Sequence, residues 1–240
     1  KLGIYGLNVT MPHKVNIIQY LDRLDETARK VEAVNTVLND AEMIGYNTDG
    51  LGALNALKTY RGEPSGKKVV ILGAGGASRA ISLAIAPEAR DLIILNRKPE
   101  KAEMLANKIS ATIGKRVRWG KLCNDLLGEE LRDANVMINA TSVGMHPNDS
   151  ETPVDKTLLR EDLVVFDLVY NPLETRLLRE ARSIGARTID GLTMLVHQGA
   201  ASFEIWTGIE APVDIMIKAA RDELRVRESE AEGKHIDLDR

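Results

Sequence analysis

Apolar positions fall into short unbroken runs at 69–72, 92–95, 136–140 and 163–169, each bounded by turn-forming or polar residues. Runs without alternation predict strands buried on both faces of a sheet. Between them, 77–86 and 100–113 have helical composition, and Leu173, Leu177, Leu178, Ala181 and Ile184 form one apolar stripe that stops at Gly185. Strands alternating with helices predict an α/β fold with a parallel, doubly wound sheet. Further helices are predicted over 192–206 and 212–225, Pro212 being suited to a first turn. The polar residues 226–240 read as a flexible, frayed tail.

The first sixty residues differ in texture. Residues 3–10 read as strand or loop, and from Lys14 to Tyr60 short helical stretches alternate with a hairpin, 33–38 and 43–46, joined at Asn39 and Asp40. The polar run 60–68 reads as a linker and marks the change. A smaller α/β domain is therefore expected over 1–49, completed by 191–225, with the doubly wound domain over 50–190 and a cleft between them. Hinges are expected near 50–52 and Gly191, where glycine permits backbone change.

Composition narrows the function. Of 240 residues, 44% are apolar and 28% charged, a balance that excludes a wholly disordered chain. With 32 basic against 35 acidic residues, no excess positive charge is available to displace counterions from nucleic acid. No uncharged apolar run approaches the roughly 20 residues that a bilayer requires, so no membrane partner is expected. The single cysteine, Cys123, fits a reducing cytoplasm. The histidines His13, His146, His197 and His235 share no metal-ligand spacing, so no metal is expected.

The run at 69–72 leads directly into Gly73-Ala74-Gly75-Gly76-Ala77-Ser78, a strand, a glycine-rich turn and a helix start. Gly73 suits the tight turn, Gly75 lets backbone approach a pyrophosphate, and the amides at the helix start, around Gly76 and Ala77, offer it partial positive charge. Ser78 replaces the third glycine of the usual fingerprint with another small residue. A ligand-free turn has the same local look, but the complete strand–turn–helix context favours a dinucleotide. At the end of the next strand, NAD-binding chains usually place an acid on the ribose 2′-hydroxyl; here stand Asn96, Arg97 and Lys98. Those cations favour a 2′-phosphate, and so NADP.

Four other segments are dense in polar side chains: 8–14 (Asn-Val-Thr-Met-Pro-His-Lys), 33–36 (Ala-Val-Asn-Thr), 45–50 (Gly-Tyr-Asn-Thr-Asp-Gly) and 197–199 (His-Gln-Gly). Each alone has a plain explanation, with Asp49 as a helix cap, Asn35 closing a hairpin and Lys14 an exposed charge. Taken with the glycine turn, Asn96-Arg97, Asn139-Ala140-Thr141, the run Asp167-Leu168-Val169-Tyr170-Asn171-Pro172 and 191–198, they resemble the shikimate dehydrogenase family. The likeness runs in order from residue 3 to about 220.

The resemblance implies that Lys14 and Asp49 flank the reacting hydroxyl. Oxidising a carbinol needs a base for the hydroxyl proton, and the reverse needs the same group as an acid. Lys14 is the expected carrier, because burial and the cofactor's approach lower a lysine pKa, with Asp49 orienting it. Asn8, Thr10, Asn35 and Gln198 are implied to bind substrate, with Tyr170 near both substrate and nicotinamide. Thr141, Val169, Gly191 and Met194 are implied to line the nicotinamide pocket. The implied activity is NADP-dependent, reversible reduction of 3-dehydroshikimate to shikimate, in aromatic amino-acid biosynthesis. The alternatives are a quinate/shikimate dehydrogenase using NAD or NADP, and a non-catalytic metabolite-binding regulator of the same fold. The expected partner is the small-molecule substrate, with a homodimer left open. Against the family pattern, the first domain is expected to lack its first strand and helix, with serine hydroxyls that hold the substrate carboxylate. A chain beginning at Lys1 is then expected to bind substrate weakly and to keep NADP binding.

Overall fold

Two separate sheets organise the chain. The structure is a computed structural model that describes residues 3–236, with side chains as far as Val226. The first sheet is built from β1 (Gly6–Asn8), β2 (Arg23–Leu24), β3 (Thr36–Asn39) and β4 (Met43–Tyr46), with helix α1 (Glu26–Val31) between the second and third. Its order is β1-β3-β4-β2; β3 and β4 form the hairpin, β1 pairs antiparallel with β3, and β2 runs parallel to β4. Asp25 starts α1 by accepting hydrogen bonds from the Thr27 and Ala28 amides, as an N-cap carboxylate should. A small core of Ala28, Val34 and Val37 lies beneath.

Helix α2 (Asp49–Thr59) leads into the second unit. That unit comprises β5 (Lys68–Leu72), α3 (Gly76–Ile85), β6 (Asp91–Asn96), α4 (Pro99–Ile113), β7 (Arg118–Lys121), α5 (Asn124–Leu131), β8 (Val136–Asn139), β9 (Val164–Asp167), α6 (Arg176–Ser183) and β10 (Arg187–Ile189). Two further helices follow, α7 (Gly191–Thr207) and α8 (Val213–Ile236). The six strands pair in parallel in the order β10-β9-β8-β5-β6-β7. The order reverses between β5 and β8, which is where open α/β sheets hold their ligands. Every residue of β5, β8 and β9 is buried, as the unbroken apolar runs require. One face packs Leu57, Ile81, Ile85, Ile109 and Phe166; the other packs Leu127, Leu131, Leu177 and Leu178.

Three elements differ from the sequence reading. β7 and β10 carry no apolar run, because both are short edge strands with polar side chains, and β2 has only two residues where a helical stretch was expected. Helix α8 continues into the stretch expected as a tail as far as Ile236, where Arg, Glu and Ala residues favour helix; 237–240 lie outside the described residues. The glycines expected as hinges have a packing role. A Cβ on Gly50 would lie 2.7 Å from the Ala80 carbonyl oxygen, and one on Gly52 would lie 2.8 Å from the Gln198 amide nitrogen. Gly191 is equally crowded, its Cβ falling 2.4 Å from the Leu168 oxygen. None of the three has a positive φ.

At the N-terminal edge of the large sheet, charge replaces apolar packing. Arg118 donates to both oxygens of Glu130 at 2.6 Å and to both oxygens of Asp91 at 3.1 and 2.7 Å. Lys68 reaches Glu130 at 2.9 Å and also contacts Asp133. The Arg118 guanidinium holds the Glu130 carboxyl below its ordinary 4.5, against the opposing effect of burial. Burial pulls the Lys68 ammonium down, but Asp133 and Glu130 together outweigh it and raise it. A depressed carboxyl stabilises the fold above its unfolded pKa and loses that contribution as pH falls through the native value. The thermal stability of the wild type is therefore expected to fall as pH drops below about 4.5. Glu130→Gln should cost about 1–3 kcal/mol at pH 7, by removing the charge that Lys68 and Arg118 share and leaving them to Asp133 and Asp91, and flatten the acid limb. Melting curves from pH 3 to 8 check this; an unchanged acid limb in the variant would refute the assignment.

Candidate active site

A lysine–aspartate pair is placed by the turn after β1 and by the start of α2. Asp49 is the first residue of α2 and is buried, while Lys14 lies in the turn after β1 with 26% of its side chain exposed. Lys14 Nζ donates to Asp49 Oδ2 at 2.8 Å. The other carboxylate oxygen accepts from Asn35 Nδ2 at 2.8 Å. Asp49 is the only hydrogen-bond partner of Lys14 Nζ among the described residues, so two of its three N–H donors remain for a ligand. Asn35 is itself fixed: its Oδ1 accepts from the Thr48 amide at 2.9 Å and the Thr36 hydroxyl at 3.0 Å. The ammonium is thus held by a carboxylate whose own orientation is set from below.

The remaining polar residues divide into two groups. Gln198, on α7, donates to Thr48 Oγ1 and Ser202 Oγ, each at 3.2 Å, and so joins Asn35 and Asp49 through shared partners. Asn8 turns inward, with its Nδ2 donating to the Asn35 carbonyl at 3.1 Å, Thr36 Oγ1 at 3.2 Å and Ser202 Oγ at 3.1 Å. Its amide hydrogens therefore serve the network. Thr10 is exposed just beyond β1, and Tyr170, 47% exposed, lies on the loop after β9. Neither side chain has a hydrogen bond to the network. Three members were missed by sequence reasoning: Thr36, Thr48 and Ser202. The two threonines stand inside quoted motifs, and Ser202 is one helical turn after Gln198, which is the signal that could have found it.

His197 belongs to a different surface. It is buried between helices, with Nε2 3.3 Å from Thr59 Oγ1 on α2. Burial lowers its pKa, with Asp214 opposing, so the ring is neutral at pH 7.

The glycine turn opens into a cleft of about 570 Å³ at the C-terminal ends of β5, β6 and β8. Gly73 has φ +104°, and a Cβ there would lie 2.8 Å from the Ala140 carbonyl oxygen, so only glycine fits. At Gly75 and Gly76 a Cβ would meet nothing within 4 Å. That open space lies over the N-terminus of α3, which no side chain caps. Uncapped helix amides facing an open cradle fit a pyrophosphate. Ala74 also lines the cleft, Ala77 is exposed on the first turn, and Ser78 Oγ closes the turn by donating to the Gly73 oxygen at 2.7 Å.

Asn96, Arg97 and Lys101 form one wall, and Thr141, Ser142 and Val143 another. Lys98 is not on the wall; it precedes α4, and its carbonyl accepts from Asn96 Nδ2 at 2.9 Å. Lys101, one turn further along α4, supplies the second cation instead. Val169, Gly191 and Met194 lie outside this cleft, at the end of β9 and the start of α7, with Val169 and Gly191 buried and Met194 packed on the core. The two halves of the site meet through α2: Asp49 begins it, and Gly50 lies against α3, the helix that forms the phosphate turn.

A doubly wound sheet with a phosphate turn, joined by one helix to a lysine–carboxylate pair beside a second sheet, defines a dinucleotide-dependent dehydrogenase. Comparison with known proteins narrows the class. Residues 1–37 match the shikimate dehydrogenase substrate binding domain, 55–194 match shikimate / quinate 5-dehydrogenase, and 191–221 match the shikimate 5′-dehydrogenase C-terminal domain. A shikimate dehydrogenase (NADP(+)) of Methanocaldococcus jannaschii is 47% identical over 93% of this chain and 79% of its own length. Among solved structures, a shikimate dehydrogenase in complex with NADP+ superposes with TM-score 0.86 at 46% identity, over 93% of this chain and 78% of that one. A quinate dehydrogenase of Corynebacterium glutamicum in complex with NAD is more distant, with TM-score 0.83 at 33% identity, over 90% of this chain and 77% of that one. The chain belongs to the shikimate dehydrogenase family, and it is an NADP-dependent oxidoreductase acting on a CH–OH group.

The contact of Gly52 with the Gln198 backbone yields a test. Gly52→Ala should force α2 away from α7, lower stability by about 1–3 kcal/mol and raise the KM for the hydroxylated substrate more than that for cofactor. Calorimetry and steady-state kinetics check it; wild-type stability would show that the helices separate freely.

Proposed function

We propose that the chain reversibly reduces the carbonyl of 3-dehydroshikimate to the hydroxyl of shikimate, with Lys14 carrying the proton and Asp49 orienting it. The bond between Lys14 Nζ and Asp49 Oδ2, at 2.8 Å, carries this reading. When bound, the nicotinamide donates hydride to the carbonyl carbon or takes it back from the carbinol. In the reductive direction, Lys14 delivers a proton from Nζ to the oxygen that becomes the hydroxyl. In the oxidative direction, the neutral amine takes that proton back. Asp49 stays ionised beside the ammonium, and Asn35 keeps the carboxylate turned toward it. Thr10 and Gln198 are proposed to bind ring hydroxyls, with Asn35, its side-chain groups already paired, lining the site and holding Asp49, and Tyr170 at the edge. A polyol site made of neutral donors and acceptors disfavours analogues that leave those groups unpaired.

Arg97 and Lys101 are proposed to hold the 2′-phosphate, with the α3 amides on the pyrophosphate and Thr141 toward the nicotinamide end. That assignment favours NADP over NAD, and it weighs against an NAD-linked quinate enzyme. Both Lys14 and Asp49 are present and paired, which weighs against a non-catalytic regulator. No helix among the described residues is long and apolar enough to cross a membrane. We assign the reaction to the cytoplasm, on the single cysteine, and expect no nucleic-acid partner, on the net charge of −3.

Lys14→Met should lower kcat by about 10²–10⁴-fold while leaving NADPH affinity within about twofold of wild type. Near-normal kcat in that variant would remove Lys14 from its role. Arg97→Ala should raise the KM for NADP about tenfold or more and change that for NAD little. Rates with shikimate and quinate, each with NAD and NADP, complete the test, and a higher kcat/KM for quinate with NAD would overturn the substrate assignment.

A further inference from the structure

Strand β9 ends in a buried carboxylate that the proposed chemistry does not use. Asp167 is 0% exposed, and none of the ion pairs among the described residues includes it. Three neutral donors fill it. Oδ1 accepts from Asn139 Nδ2 at 2.9 Å and the Val169 amide at 3.1 Å, and Oδ2 accepts from Thr175 Oγ1 at 2.7 Å. Burial raises its pKa to about 6, against the pull of those hydrogen bonds, while the three donors aimed at its two oxygens make it an acceptor.

A carboxylate whose two oxygens both accept decides which way the neighbouring amide faces. Asn139 must turn its nitrogen to Asp167, which leaves its oxygen for Thr141. That oxygen accepts from Thr141 Oγ1 at 2.6 Å and the Thr141 amide at 3.1 Å, and Thr141 Oγ1 in turn accepts from the Val143 amide at 3.1 Å. Thr141 and Val143 line the dinucleotide cleft. Val169, held by the same Oδ1, directly precedes Tyr170. One buried group therefore fixes two loops that leave the sheet side by side.

Resting on the reading of the cleft as the NADP site, we propose that Asp167 is a positioning residue for the cofactor: through Asn139 it sets the 141–143 wall, and through the Val169 amide it sets the start of the Tyr170 loop. Asp167→Ala leaves the Asn139 amide free to turn over and the Val169 amide without its acceptor. Asp167→Asn can keep one oxygen toward both donors and turn its nitrogen to Thr175, whose hydroxyl can accept. Asn139→Ala cuts the first branch alone and leaves the other two donors on Asp167.

The test measures NADPH binding by its fluorescence, together with kcat and the KM values for NADP and shikimate, in the wild type and these three variants. Asp167→Ala and Asn139→Ala should weaken NADPH binding and raise the KM for NADP about tenfold or more, the scale of a lost buried hydrogen-bond partner. In Asn139→Ala, which leaves the Tyr170 loop held, the KM for shikimate should stay within about twofold, and Asp167→Asn should recover NADPH affinity to within about threefold of wild type. Folded variants that bind NADPH as the wild type does, with only a lower melting temperature, would overturn the proposal. Should Asp167→Ala not fold, Asn139→Ala decides by the same measure. A wild type that binds NADPH without oxidising shikimate counts against the substrate assignment alone, because the binding measurements still decide the role of Asp167.

Discussion

The close approach of α2 to two other helices is the constraint on which the site depends. Gly50 admits α3 and Gly52 admits α7 at distances no side chain would allow. Because the contacts are backbone on side-chain-free backbone, the three helices are held at fixed spacing, and interiors packed this tightly transmit displacement rather than absorb it. The consequences reach both halves of the chemistry. Asp49 begins α2, Gln198 lies on α7 against Gly52, and the phosphate turn is the start of α3. A substrate lobe and a nucleotide lobe could otherwise drift independently. Here one helix carries the carboxylate and touches the elements that carry the other two functions.

Charge is arranged by the same logic of position. At the N-terminal edge of the large sheet, Lys68, Arg118, Glu130 and Asp91 neutralise one another in a fully paired cluster, far along the strands from the cleft. The acids at the start of α2 and at the C-terminal end of β9 are treated differently. Asp49 has one cation and one amide, while Asp167 has no cation and three neutral donors. A carboxylate paired with lysine can share in proton movement. One ringed by fixed neutral donors is an acceptor of fixed direction, suited to holding loops in place.

Local chemistry was legible in the sequence because each motif combines a secondary-structure signal with an unusual residue. The strand and glycine turn at 69–78 and the hairpin flanked by Asn35 and Asp49 stand out for that reason. Edge strands β7 and β10 did not, because their exposed sides need no apolar run. Gly50 and Gly52 show a subtler limit. Sequence identifies a glycine but not the reason for it, and flexibility and close packing call for the same residue. Lys98 and Lys101 are alike as cations, and only the course of the chain into α4 decides that Lys101 is the one lining the cleft. The role of Ser202 required knowing that α7 returns to the first sheet, where Trp206 Nε1 donates to the Val37 carbonyl at 3.0 Å.

The hydroxyl network beneath the site bears on selectivity. Ser202, Thr36 and Thr48 lie within 2.7 to 3.4 Å of one another, and each hydroxyl can donate or accept. Such a cluster can reverse the direction of its hydrogen bonds without moving heavy atoms, so it can satisfy Gln198 whether that amide is turned inward or toward a ligand. Asn35 has no such freedom, because both of its oxygen's donors and both of its nitrogen's acceptors are in place. Adaptation to a ring with a different hydroxyl pattern should therefore act through Gln198 and its hydroxyl partners, while the Asn35–Asp49–Lys14 line keeps its geometry. The reacting oxygen then meets the same ammonium whichever polyol is bound, and discrimination among polyols falls to the softer side of the site.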